Sequence, residues 1–222
     1  TQPGHIGDPE LGSVLEDAKA LGVPVILWPL LDPADGAWCN EDNIEPFWEN
    51  VFATLDYVDT LDHNIEIVVI NSELGPPKID LIRQYFAEGS FTELIELVQG
   101  NIDRERFALS SARIAEFVEQ LKARGYKAQI TTYPYLLDDL ADGDPDIQDA
   151  ANVVLEGPAW DRLAFTPYSA AYSDDFGWSF GPYFVYSYAK LAREHFGDRV
   201  DIALGLVSPG NRSETVQQEA ET

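Results

Sequence analysis

Asn71 and Glu73 end a stretch, EIVVINSELGPP (66–77), in which an apolar, β-branched run passes directly into an amide and a carboxylate before Gly75, Pro76 and Pro77 stop the chain. A strand alternates its side chains with period two, so Asn71 and Glu73 share one side of it, where a substrate would lie. Four further strand-like runs end in comparable fashion: Trp28 with Pro29, Thr132 with Tyr133 and Tyr135, Tyr168, and Ser208. Trp160 opens the segment that leads to Tyr168. In parallel α/β folds ligands bind at the carboxyl ends of the strands. An aromatic rim around one carboxylate is the composition expected where sugar rings stack and polar side chains hold hydroxyls. Taken singly, each residue has a plainer explanation, since a strand-end Glu can pair with Arg and aromatics often only pack.

The elements that must position these residues alternate along the chain. DPELGSVLEDAKALG (8–22) has Asp8 and Pro9 as start signals, apolar residues at helical spacing and Gly22 as a stop, and it leads into the strand VPVILW (23–28). A polar loop, 32–42, precedes a helix over 43–61 with Asn43 as its cap and Pro46 in its first turn. After the strand IEIVVIN come two acidic helices that end at Gly89 and Gly100, a long amphipathic helix over 103–125 and the strand YKAQITTY. The Asp-rich segment 136–154 reads as a loop and a short helix with a solvated acidic surface. The strand DRLAFTPY, a helix over 179–197 and the strand VDIALGLV complete the pattern, and a polar tail occupies about 209–222. Strands separated by helices call for parallel pairing, hence an α/β fold. One domain over 1–222 is expected, with a helical insertion at about 75–102. An open doubly wound sheet competes with a barrel, but no strand is followed by a glycine-rich phosphate loop.

Composition narrows the function. Fourteen Lys and Arg stand against 39 Asp and Glu, a formal net charge of −25, and such a field repels nucleic acid and anionic membrane surfaces. Asp35, Asp174 and Asp175 read as solubilising loop residues. Cys39 is the single cysteine, a poor nucleophile without a neighbouring His, and His5, His63 and His195 lack zinc-ligand spacing, so neither a metal nor a cofactor is expected. No apolar run reaches the roughly 20 residues of a membrane helix.

The order of these segments resembles the chitinase-like branch of glycoside hydrolases, whose (β/α)8 TIM barrel carries Asp-x-x-Asp-x-Asp-x-Glu on its fourth strand. EIVVINSE lies over that motif with Glu66, Val69, Asn71 and Glu73 at its four positions. GVPVILWPL looks like the third strand, WDRLAFTPY like the sixth and VDIALGLVSPG like the seventh. The resemblance covers most of residues 10–210. It implies that Glu73 is the general acid, that Asn71 stands where an Asp orients the substrate N-acetyl group, and that Tyr168 supports that group. Val69 and Ser169 also replace acids of the pattern. A neutral amide can hold an acetamido group but cannot stabilise a developing positive charge as a carboxylate does. The resemblance further implies an incomplete barrel here, with the missing strands supplied before Thr1 and after Thr222 or by unusual segments, and an extracytoplasmic or secreted setting is expected.

A glycosidase with two carboxylates needs them about 5–5.5 Å apart for retention or about 6.5–9.5 Å for inversion. Asp32, Asp138 and Asp174 all fall on loops past strand ends. The expected function is therefore hydrolysis or binding of a neutral polysaccharide. Its catalytic set is Glu73, Asn71 and Tyr168, with substrate contacts from Trp28, Tyr133, Tyr135 and Trp160. A non-catalytic carbohydrate-binding or surface-assembly protein on a degenerate barrel is the alternative. A metabolic enzyme on an open sheet is a third class.

Overall fold

The structure is a computed structural model, and it describes residues 6, 7, 9–168 and 181–204. The segments placed at Asp8, Ser169, Asp174, Asp175, Ser208 and the 209–222 tail lie outside the described residues, as does His5. The fold is α/β with a five-stranded parallel sheet. Its strands are β1 (Val25–Leu27), β2 (Ile65–Asn71), β3 (Lys127–Thr132), β4 (Arg162–Phe165) and β5 (Val200–Ile202). They neighbour one another in chain order, with no reversal. Helices α1 (Pro9–Ala20), α2 (Ile44–Val58), α3 (Pro76–Glu88), α4 (Phe91–Asn101) and α5 (Arg104–Ala123) precede β3. The short α6 (Asp139–Asp142) and α7 (Asp146–Ala150) follow it, and α8 (Pro182–Phe196) leads to β5.

Boundaries follow local chemistry. Helices α1, α3, α5 and α6 stop where a glycine takes the left-handed conformation, and α1 shows why. Gly22 has φ 67°, its N–H donates to the Lys19 carbonyl at 3.0 Å, and the Val23 N–H donates to the Ala18 carbonyl at 2.8 Å. These bonds satisfy carbonyls that a helix end leaves open. The same signals place Gly89 and Gly125 just past α3 and α5. The expected stop at Gly100 is passed by one residue, because α4 runs on to Asn101.

The chain divides into two compact units. One takes in the described residues up to Pro76 together with Arg104–Ile130 and Asn152–Asp161. The other takes in Pro77–Asp103, Thr131–Ala151 and the described residues from Arg162 onward, so the helical stretch read as an insertion belongs to it.

In the first unit β1 pairs with β2 in parallel, Leu27 opposite Val68. Its core is the apolar face of α2, with Phe47, Trp48, Val51, Leu55 and Val58 all fully buried, together with Ile114, Val118 and Leu121 of α5. Trp48 stacks on Phe117, ring centroids 5.1 Å apart. Arg113 covers that edge, its guanidinium 4.1 Å from the Phe117 centroid and its Nε and Nη2 donating to the Glu45 carboxylate at 2.6 and 2.9 Å. In the second unit β4 pairs with β5, Phe165 opposite Ile202, and Arg162 grips Asp201 with a two-pronged bond, Nε to Oδ2 at 2.7 Å and Nη2 to Oδ1 at 2.5 Å. Leu136, Leu137, Leu163 and Phe165 form its core.

Candidate functional site

The loop between β1 and α2 carries the end of β2. It begins with a 3-10 turn over Pro33–Asp35 and then turns left-handed at Gly36 (φ 97°) and Ala37 (φ 55°). A side chain at Gly36 would also meet the Asn43 amide at 2.7 Å, so only glycine fits there. Asn43 occupies the N-cap of α2, yet it makes no side-chain capping bond. Its Oδ1 accepts the Asn40 N–H at 2.9 Å and its Nδ2 donates to the Trp38 carbonyl at 2.8 Å. The expected helix cap is thus spent on shaping the loop behind it.

That loop is laced to Asn71 and Glu73 through their backbone carbonyls and to Ser72 through its hydroxyl. The Cys39 N–H donates to the Asn71 carbonyl at 2.9 Å, the Ser72 hydroxyl donates to the Cys39 carbonyl at 2.9 Å, and Asn40 Nδ2 donates to the Glu73 carbonyl at 3.3 Å. Cys39 and Ser72 form a parallel bridge that continues β2 past its last residue. Asn71 is buried and Glu73 half-buried. Glu73 is therefore carried on a backbone tied to the β1–α2 loop, the kind of support a functional side chain requires. Cys39 is buried, and that burial pushes its thiol up to about 12, which removes it as a nucleophile at neutral pH.

Trp28 follows β1 and is 49% exposed. Trp160 behaves differently. It is 3% exposed and its indole N–H donates to the Leu155 carbonyl at 3.1 Å, so in this conformation it packs the first unit and offers no ring to a sugar.

The second unit holds the tyrosines. Thr166 ties the ends of β3 and β4 together, its N–H and its hydroxyl both donating to the Thr132 carbonyl at 3.1 and 3.2 Å. Tyr133 follows Thr132 and stacks on Tyr135 with centroids 4.9 Å apart and planes 13° apart. Tyr168, two residues after Thr166, is half-buried like that pair. Asp138 is exposed and accepts the Tyr188 hydroxyl at 2.9 Å. Burial of the Tyr188 ring and this bond push the phenol above its ordinary range.

Asn71 and Glu73 thus lie in the first unit with Trp28 and Trp160, whereas Tyr133, Tyr135 and Tyr168 lie in the second. Two polar groupings escaped the sequence. The Glu41 carboxylate, its side chain fully buried, accepts Arg106 Nε at 2.5 Å, and Arg106 Nη2 reaches Asn152 Oδ1 at 3.4 Å. Asn152 is itself left-handed (φ 54°) and donates to Asp42 at 3.1 Å. The other grouping corrects the view of 138–149 as a solvated surface. Asp139 is 2% exposed and its carboxylate accepts the N–H groups of Ile147 and Gln148 at 3.0 and 2.8 Å; Asp149 is 0% exposed and accepts the Asp103 N–H at 2.9 Å. These carboxylates satisfy backbone donors at the start of α7 and α5. The local signal was Pro145, which opens a helix that an upstream Asp can cap.

Among the described residues no group of three or more His, Cys, Asp or Glu could hold a metal ion, and no helix is long and apolar enough to cross a membrane. Compared with protein-family models, with curated proteins and with solved structures, the chain matches none.

Proposed function

We propose that the chain is a carbohydrate-active protein of the chitinase-like kind, with its sheet as an arc of a (β/α) barrel and Glu73 as the proton donor. The observation that carries this reading is Glu73 itself, held on a doubly laced backbone just beyond the carboxyl end of β2, a strand buried from Val68 to Asn71. The strand order supports the barrel, since doubly wound sheets reverse order at a switch point whereas barrel strands pair in sequence. Ile26 on the outer strand β1 is 53% exposed, as an apolar side chain is where a further element would cover it. In this reading Asn71 holds the acetamido group and Trp28 stacks on a sugar face. The net charge favours neutral glycans over sulfated or uronic-acid polymers.

Hydrolysis of an N-acetylhexosamine oligosaccharide tests the assignment. Glu73→Gln should lower the rate by about 10²–10⁴, the usual contribution of a general acid, and Asn71→Asp should raise it by restoring charge beside the developing cation. Hydrolysis undiminished in Glu73→Gln overturns the role given to Glu73. A non-catalytic glycan binder is favoured by Asn71 alone, a neutral residue in a charge-stabilising position. Under that reading calorimetry shows binding without turnover, weakened in Trp28→Ala. If no neutral glycan is cleaved or bound at millimolar concentration, the carbohydrate reading fails.

A further inference from the structure

We propose that the outer face of α4 in the second unit is a docking surface for a basic amphipathic helix of a partner protein. Phe91, Ile95, Val98 and Ile102 are 56%, 55%, 38% and 39% exposed. Phe91, Ile95 and Val98 lie on α4 and Ile102 is its C-cap residue, and their spacing of four, three and four residues places them along one arc of roughly 60°. Single exposed apolar residues are ordinary, whereas a continuous stripe of four marks an interaction surface. The helix is already anchored on another side: Leu94 and Leu97 are half-buried and Asn101 Nδ2 donates to the Ala150 carbonyl at 3.2 Å.

Charge selects the occupant. Residues 84–103 contain Glu88, Glu93, Glu96 and Asp103 and no Lys or Arg, within a chain of net charge −25. A second copy would set the same acidic surface against itself, which opposes association. The chain's own NRSETVQQEAET segment holds three Glu, one Arg and a single large apolar residue, Val216, so it has neither the stripe nor the charge to fit. A helix with Leu or Ile at i, i+3 or i+4 and i+7, flanked by Lys or Arg, matches both features. This surface is independent of the strand-end chemistry proposed above.

The full chain is titrated, by fluorescence anisotropy, with a labelled Leu/Lys peptide of about 18 residues in heptad pattern. A scrambled peptide of identical composition is the control. The patterned peptide should bind at least about tenfold more tightly than the scrambled one, with an affinity that falls as salt rises. The double variant Ile95→Ser/Val98→Ser, which keeps the charge, should lose that preference. Hydrogen exchange on the unaltered chain should show peptide-induced protection centred on 91–102, a readout that does not depend on any variant folding. Equal binding of the two peptides, a double variant that keeps the preference, protection elsewhere, or a dimer in light scattering that Ile95→Ser dissociates would each overturn the proposal.

Discussion

Two acidic stretches of the second unit, 84–103 and 138–149, solve the same composition in opposite ways. The first keeps its carboxylates in water and leaves Ile95 55% exposed, with no buried residue anywhere on α4. The second turns Asp139 and Asp149 inward, 2% and 0% exposed, and gives each a backbone N–H to accept. An acidic run therefore says little about where its charges go. The difference lies in the donors: Ile147 and Gln148 at the start of α7 present N–H groups to Asp139, and Asp103 presents its N–H to Asp149.

The largest effect expected from this contrast is at Asp139. Asp139→Ala removes the acceptor for two N–H groups and leaves them buried, at a cost of about 2–4 kcal/mol. Urea unfolding should show the lower midpoint, and Asp139→Asn should recover part of the loss because one oxygen remains. A midpoint within error of the original would place Asp139 with the solvated carboxylates.

A smaller effect is expected at Asp59 in the first unit. Burial tends to raise its pKa, but hydrogen bonds from Arg124, at 2.6 Å, and from Tyr126 outweigh this and hold the carboxyl below its ordinary value. Its folded value lies below its unfolded one, so its contribution is present above pH ~4 and is lost as pH falls through the folded value. The carboxylate is largely solvent-screened, so Asp59→Asn should cost up to about 1 kcal/mol at pH 7. Urea midpoints of the variant and the original should converge as pH falls below the ordinary carboxylate range. A gap unchanged over that range would mean the cost comes from something other than ionisation.

The smallest effect is expected at Ile95. Ile95→Ser should change thermal stability by no more than about 0.5 kcal/mol, because the side chain lies mostly in water already. A loss comparable to that at Asp139 would mean the stripe is part of the unit's packing, and the contrast between the two stretches would disappear.

The sequence by itself determined the α/β class, the five strands and the glycine stops, because period two, period 3.6 and left-handed backbone are properties of a few neighbouring residues. Expectations for 65–71 and for Pro9 at a helix start needed no distant partner. Asn71 and Glu73 at a strand end were legible for the same reason. Tertiary structure decided what depends on which donors and acceptors meet. It turned Asn43 from a helix cap into a loop clamp, because Asn40 and Trp38 lie within its reach. Packing took Trp160 from a prospective sugar platform into the core, since the Leu155 carbonyl satisfies its indole and so permits burial. Asp139 and Asp149 went inside while neighbouring acids stayed out, a choice set by N–H groups that are eight, nine and 46 residues away in the chain. Burying a carboxylate is costly unless its partners are already in place, and only the folded chain brings those partners together.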